Sequence, residues 1–178
     1  MEHTPDPWTT RSLAKLDAEN PEPPWNDAKP STEEEQMGLD ISAAVRWDEE
    51  GNTLLLPDAP TAHWSYGGFH RFRTLLASEE GFDLEYMQGF YEGGGEARPW
   101  SDVNTTLAPL LNHSDCDGEL TPAECTAILA RLKEIRVTWA AGAARNAEDI
   151  YEYDVRHLDD LIDVVTYCAA TGRNVDFH

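Results

Sequence analysis

The chain has 178 residues, with 34 Asp and Glu against 13 Lys and Arg, a formal charge of −21. Such a charge opposes direct binding to nucleic-acid backbones and docking on anionic membranes, since both rely on Lys and Arg. It suits a basic partner, a cation or the imitation of a polyanion. Forty per cent hydrophobic residues, with six Trp, six Tyr and five Phe, exclude a wholly disordered chain.

Residues 1–36 hold six of the 11 prolines and nine acidic against three basic groups, so −6 of the charge sits there. Few aliphatics offset the entropy of ordering this stretch, and a mobile acidic arm is expected, with one short helix from Thr10 to Ala18. Trp8 and Trp25 are its large apolar groups, able to dock on the chain's own domain or on something else. No basic-then-apolar leader follows Met1 and no apolar run reaches the roughly 20 residues that span a bilayer. Cys116, Cys125 and Cys168 form no CxxC and no zinc set with the scattered histidines. The three read as reduced thiols in a cytoplasmic protein, although Cys116 and Cys125 are close enough in sequence to bridge under oxidation.

A single domain is expected over residues 37–178. Leu39 and Ile41 alternate with Asp40 and Ser42, the period of a half-buried strand. Val45–Trp47 and Thr53–Leu56 flank Asp48-Glu49-Glu50-Gly51-Asn52 as a hairpin, stopped by Pro57 and Pro60. Ser65 then caps a helix whose Phe69, Phe72, Leu75 and Leu76 share a face, and Gly81 ends it. Leu84–Phe90 fits no single period, and Gly93-Gly94-Gly95 reads as a loop. Val103, Leu107, Leu110 and Leu111 suggest a short helix disturbed by Pro109. Thr121, Pro122 and Glu124 spell a capping box. The helix behind it carries one apolar stripe of Cys125, Ile128, Leu129, Leu132, Ile135 and Trp139. A second long helix is predicted from about Ala147 to Ala170, with Tyr151, Val155, Leu158, Ile162 and Val165 as its buried seam and Gly172 as its stop. Val175 and Phe177 alternate with Asp176 and His178 in a last strand. The order predicts an α+β fold: a small antiparallel sheet packed by about four helices, the last two long.

Residues 113–124 carry the most chemistry. With Gly118 at the sharp turn, the stretch resembles an EF-hand loop: Asp115 at position 3, Asp117 at 5, the Glu119 carbonyl at 7, Thr121 at 9 and Glu124 at 12. A hard Ca2+ ion wants such a ring of oxygens, which makes calcium the one cofactor the pattern offers. His113 stands at position 1 where an aspartate is usual, and no second loop pairs with this one. The competing reading is a turn plus a helix cap, with Glu124 capping and Asp115 and Asp117 bonding to their own backbone. Catalysis could be assembled from His113, Asp115, Asp117 and His178 as a metal-assisted hydrolase, but no catalytic fingerprint occurs.

Four blocks carry a further resemblance: Met37-Gly38-Leu39-Asp40-Ile41; Ser65-Tyr66-Gly67-Gly68-Phe69 with Phe72-Arg73; Leu110 through Gly118; and Val175-Asp176-Phe177-His178. In this order they resemble a family of small uncharacterised proteins of bacteriophages and of bacteria, notably actinomycetes. The likeness runs from Met37 to His178, and residues 1–36 look like an added arm. It implies a cytoplasmic phage or bacterial setting and no established activity. Members often carry Glu in place of Asp117 and an apolar residue in place of His113.

Two surfaces complete the candidates. Gly67, Gly68, Arg71 and Arg73 lie at a helix start that could hold an anion, with pairing to the protein's own carboxylates as the favoured alternative. Asp159, Asp160 and Asp163 crowd one helix, where like charges repel; a solvated face is the plain reading and a basic protein partner the sharper one. The leading expectation is a non-enzymatic acidic binding protein, an inhibitor or anti-defence type that could mimic a polyanion. A calcium module and a metal-assisted hydrolase are the alternatives, in that order.

Overall fold

The structure, a computed structural model, describes residues 38–43, 46–47, 53–54, 56, 58–93, 96–114 and 117–178. The arm 1–36 with its short helix and its two tryptophans, the turn 48–52, Gly94, Gly95, Asp115 and Cys116 lie outside the described residues. Those described belong to one unit, Met37–His178.

The fold is α+β. Strands β1 (Leu39–Ala43), β4 (Thr61–Trp64), β5 (Gly118–Leu120) and β6 (Val175–Phe177) form an antiparallel sheet in the order β4-β1-β6-β5. A separate two-stranded ribbon pairs β2 (Arg46–Trp47) with β3 (Thr53–Leu54), at the place of the expected hairpin. Helices α1 (Tyr66–Glu79), the single turn α2 (Ala108–Leu111), α3 (Pro122–Ala140) and α4 (Glu152–Thr171) supply the other layer, joined by 3-10 turns at Leu84–Tyr86 and Trp100–Asp102.

Alternation decides which sheet face is buried. Leu39, Ile41, Ala43, Ala62, Trp64, Leu120, Val175 and Phe177 all point into the core. Asp40 and His63 face outward as a register pair, and Asp40 Oδ1 accepts from His63 Nδ1 at 2.8 Å. Ser42 departs from the expected outward position, since it is buried beside Thr61 and Asp176. Helices α3 and α4 pack along each other, and Ile128, Leu132 and Ile135 of one and Leu158, Leu161 and Val165 of the other are buried in the shared core. Burying each such aliphatic contributes about 1.5–3 kcal/mol before entropy is charged against it.

Local chemistry sets the helix ends. Ser65 Oγ accepts from Gly68 N at 3.1 Å to start α1, and Gly81, at φ +83°, comes just after its end. Gly172 closes α4 at φ +69°. Polar ties connect the C-terminal end of α1 to α3 and to the residues just beyond α3. Buried Glu79 accepts from Trp139 Nε1 at 3.0 Å and Arg145 N at 3.2 Å, and Glu80 pairs with Arg131 at 2.6 Å.

Three expectations need correction. Pro60 does end the hairpin, but Thr61–Trp64 then pairs along β1 as a four-residue edge strand. Gly118–Leu120 is a strand as well, drawn in by β6. The last helix starts at Glu152, five residues after Ala147. Asp154 Oδ2 accepts from Tyr151 N at 2.8 Å and so fixes the start. Tyr151, expected in the buried seam, is therefore the residue before the helix and is 53 % exposed.

Candidate functional site

The loop expected to hold calcium resolves into a strand and a cap. Glu119 lies opposite Asp176 on the β5–β6 ladder, and its carboxylate accepts from Asn174 Nδ2 at 2.5 Å. Thr121 is the N-cap of α3. Glu124 Oε2 accepts from both Thr121 N, at 2.8 Å, and Thr121 Oγ1, at 2.7 Å, while Glu124 N donates to Thr121 Oγ1 at 3.3 Å. These bonds to Thr121 hold the Glu124 carboxyl below its ordinary range. Asp117 is exposed just before the strand. Among the described residues, no three His, Cys, Asp or Glu side chains are grouped to hold a metal.

Gly118 has a second reason to be glycine besides its φ of +115°. A Cβ there would meet His113 Cε1 at 2.8 Å and Nε2 at 2.9 Å. The His113 ring uses that space to stack on Phe177, with centroids 3.9 Å apart, and its Nδ1 lies 2.7 Å from Ser114 O. Arg73, 1 % exposed, donates through Nη1 to His113 O and lies over the rings of Phe69 and Phe90 at 4.7 and 5.0 Å. Phe69 in turn sits 5.9 Å from Phe177, and Ile41 pairs with Phe177 across the sheet. The four sequence blocks, far apart in the chain, thus meet around Phe177 and His113.

Beside that junction is a cavity of about 500 Å³ lined by His70, Arg73, Glu85, Phe90, Asn112 and His113, among others. Glu85 Oε1 accepts from His70 Nε2 at 2.7 Å. His178 does not line this cavity; its Nδ1 is 3.4 Å from Asp176 Oδ2 on the other face of the sheet. The cavity therefore holds His113 but not His178, two of the four residues (with Asp115 and Asp117) from which a metal-assisted hydrolase could be assembled.

The anion candidates separate in the same way. Gly67 and Gly68 form the first turn of α1, with Gly68 N used by the Ser65 cap. Arg71 points to α4, where Nη1 and Nη2 hold Asp154 at 2.5 and 3.3 Å and Nη2 also donates to Asp149 O. Asp154 is 1 % exposed. Pairing with it raises the Arg71 pKa above the ordinary arginine value. Arg71 also lies over the rings of Tyr151 and Tyr153, at 5.3 and 5.4 Å. The pair with the protein's own carboxylate takes up this cation.

On α4 the three aspartates differ. Asp159 is half-buried and held by Arg136 of α3 through two bonds of 2.8 and 2.9 Å. Asp160 and Asp163 are exposed, as are Glu148, Asp149 and Glu152 just upstream. Tyr151 and Tyr153 stand among them, 53 % and 39 % exposed, stacked at 5.7 Å with planes 8° apart. Sequence reasoning missed this aromatic pair by burying Tyr151. The available signal was that Tyr151-Glu152-Tyr153-Asp154 places Asp154, not Tyr151, where a helix interior needs a partner.

Two of the three thiols are packed in the core. Cys125 and Cys168 are buried, and burial pushes their pKa values up to about 11 and about 12, far from the thiolate that reacts. Among the described residues no helix is long and apolar enough to cross a membrane. No family model matches the chain, and neither the curated proteins nor the solved structures give a match.

Proposed function

We propose that this protein is a non-enzymatic binding protein that engages a macromolecular partner with a basic surface, using the outward side of α4 and the segment leading into it. An inhibitor or anti-defence role, with carboxylates standing where a nucleic acid presents phosphates, fits this chemistry. The observation that carries the reading is the sorting of the carboxylates. Asp154 and Asp159 are consumed by Arg71 and Arg136. Glu148, Asp149, Glu152, Asp160 and Asp163 are exposed, and none of their carboxylates makes an ion pair among the described residues. Glu152 gains from the N-terminal end of the helix dipole, but Asp160 and Asp163 lie beyond the first turn, where that field has faded. Like charges so spaced on one helix repel. A basic partner would relieve that repulsion, and the field would speed encounter at low salt.

The test compares the wild-type protein with Asp160→Lys/Asp163→Lys as baits in a bacterial lysate, eluted by rising salt. Basic proteins retained by the wild type, released by salt and lost from the variant support the reading. The same retained set on both baits overturns it.

A further inference from the structure

Alongside the exposed tyrosines runs a cleft of about 430 Å³ between the C-terminal end of α3 and the N-terminal end of α4. Trp139, Ile150 and Val155 form its apolar floor. Tyr151 and Ala140, the latter exposed at the last position of α3, also line it. Arg136 and Asp159, both in the lining, are joined by two bonds, so that cation and that anion are spent on each other. Glu152 and Arg156, both exposed, complete the lining with opposite charges.

A cleft with an apolar floor and charges that cancel in its lining is a poor place for a lone charged side chain and a good one for a side chain with an apolar or aromatic body. Outside it the balance is lost, since Glu148, Asp149, Asp160 and Asp163 are all acidic and exposed. Tyr151 is a rigid amphipathic group, and Tyr, Trp and Arg are the residue types that dominate binding hot spots. We infer that this cleft is the anchor point of the acidic face. It receives one apolar or aromatic side chain from a basic segment of another protein, whose flanking Lys and Arg reach the surrounding carboxylates. Charge complementarity selects this occupant. A second copy of the chain, at −21, and its own residues 1–36, at −6, would bring like charge to the same rim.

The inference rests on the binding role proposed above, and the experiment separates the two. The probe is a fluorescein-labelled 11-residue peptide of lysines and arginines with one central Phe, titrated with the full chain at low salt and followed by polarisation. A second peptide carries Ala in place of Phe. The Phe peptide should bind at least tenfold more tightly than the Ala peptide. Tyr151→Ala and the uncharged Ala140→Gln, both at exposed positions, should each remove that advantage while leaving the Ala peptide's binding unchanged. Asp160→Asn/Asp163→Asn should weaken both peptides alike. Equal binding of the two peptides, unaffected by Tyr151→Ala, overturns the anchor cleft and leaves the acidic face standing. Failure of both peptides to bind at low salt overturns the binding role itself. Tighter binding of a peptide of residues 1–36, or a dimer in sedimentation that Tyr151→Ala abolishes, overturns the choice of occupant.

Discussion

The starts of α3 and α4 use the same device for different ends. In each, the third helical residue is acidic and its carboxylate accepts from the backbone N–H of the N-cap: Glu124 from Thr121 and Asp154 from Tyr151, both at 2.8 Å. At α3 the arrangement is local, half in solvent, and complete within four residues. At α4 the carboxylate is buried and held by Arg71, 83 residues earlier in the chain. The cap residue, freed from capping with its own side chain, stands out in solvent beside a second tyrosine. One start serves the fold alone, whereas the other couples two helices and presents a surface.

The sharpest way to break the comparison is at Arg71. Arg71→Met keeps the stem that packs against the tyrosines and removes the charge. It leaves the Asp154 carboxylate buried without its cation, a loss that costs about 3 kcal/mol. Thermal or urea unfolding at neutral pH should show that drop. A change below about 1 kcal/mol would mean that Asp154 is satisfied by the Tyr151 N–H alone.

The α3 start should respond less. Thr121→Ala removes one side-chain cap and should cost about 1 kcal/mol. Glu124→Gln, which a capping box tolerates, should cost less still. The same pair distinguishes capping from calcium. A loop that bound the ion would have to pull Glu124 from Thr121. Millimolar calcium that raised the Tm of the wild type but not of Glu124→Gln would restore the calcium reading.

These contrasts also explain how much was legible in the sequence. Whatever depends on neighbours within a turn could be read residue by residue: the Thr121-Pro122-Glu124 start, the Ser65 cap, the Gly172 stop, the stripe from Cys125 to Trp139, the alternation in β6 and, Ser42 apart, that in β1. Missing were features set by distant partners. Gly118–Leu120 becomes a strand only because β6 lies beside it, and Thr61–Trp64 because β1 does. Asp154 is drawn inward by Arg71, and this shifts the helix start and turns Tyr151 out. Gly118 suited a calcium loop as well as a site making room for His113, since a glycine serves both. The convergence of four sequence blocks on Phe177 needed the topology, because spacing along the chain carries no record of who meets whom.

A smaller effect should come from His157 of α4, on the side of the helix near Trp64 and Tyr153, whose rings lie 5.1 and 5.7 Å away. Burial lowers its pKa from 6.5; Asp160 and Asp154 oppose the shift, while Arg156 and His63 add to it. The unfolded chain therefore binds a proton more readily than the folded one. The neutral ring's contribution to stability is complete above 6.5 and is lost as pH falls from there toward the folded value. His157→Gln should remove that part of the pH slope in Tm and leave the steeper loss at carboxylate pH in place.

The smallest expected effect is the most informative for function. Tyr151→Ala should change stability by no more than about 0.5 kcal/mol. The side chain is more than half exposed, makes no capping bond of its own, and loses only a stack on Tyr153 and a shared contact with Arg71. Asp154 continues to accept from the backbone N–H of residue 151 whatever its side chain, so the helix start survives. Thr121→Ala, at the equivalent position of α3, should be the costlier change although Thr is the smaller residue. So small a cost for Tyr151→Ala would leave Tyr151, more than half exposed in the lining of the cleft, free to serve the binding role proposed above. If Tyr151→Ala instead costs about 2 kcal/mol or more in urea unfolding, the tyrosine pair holds the α1–α4 junction together. The two helix starts would then differ in strength, not in purpose.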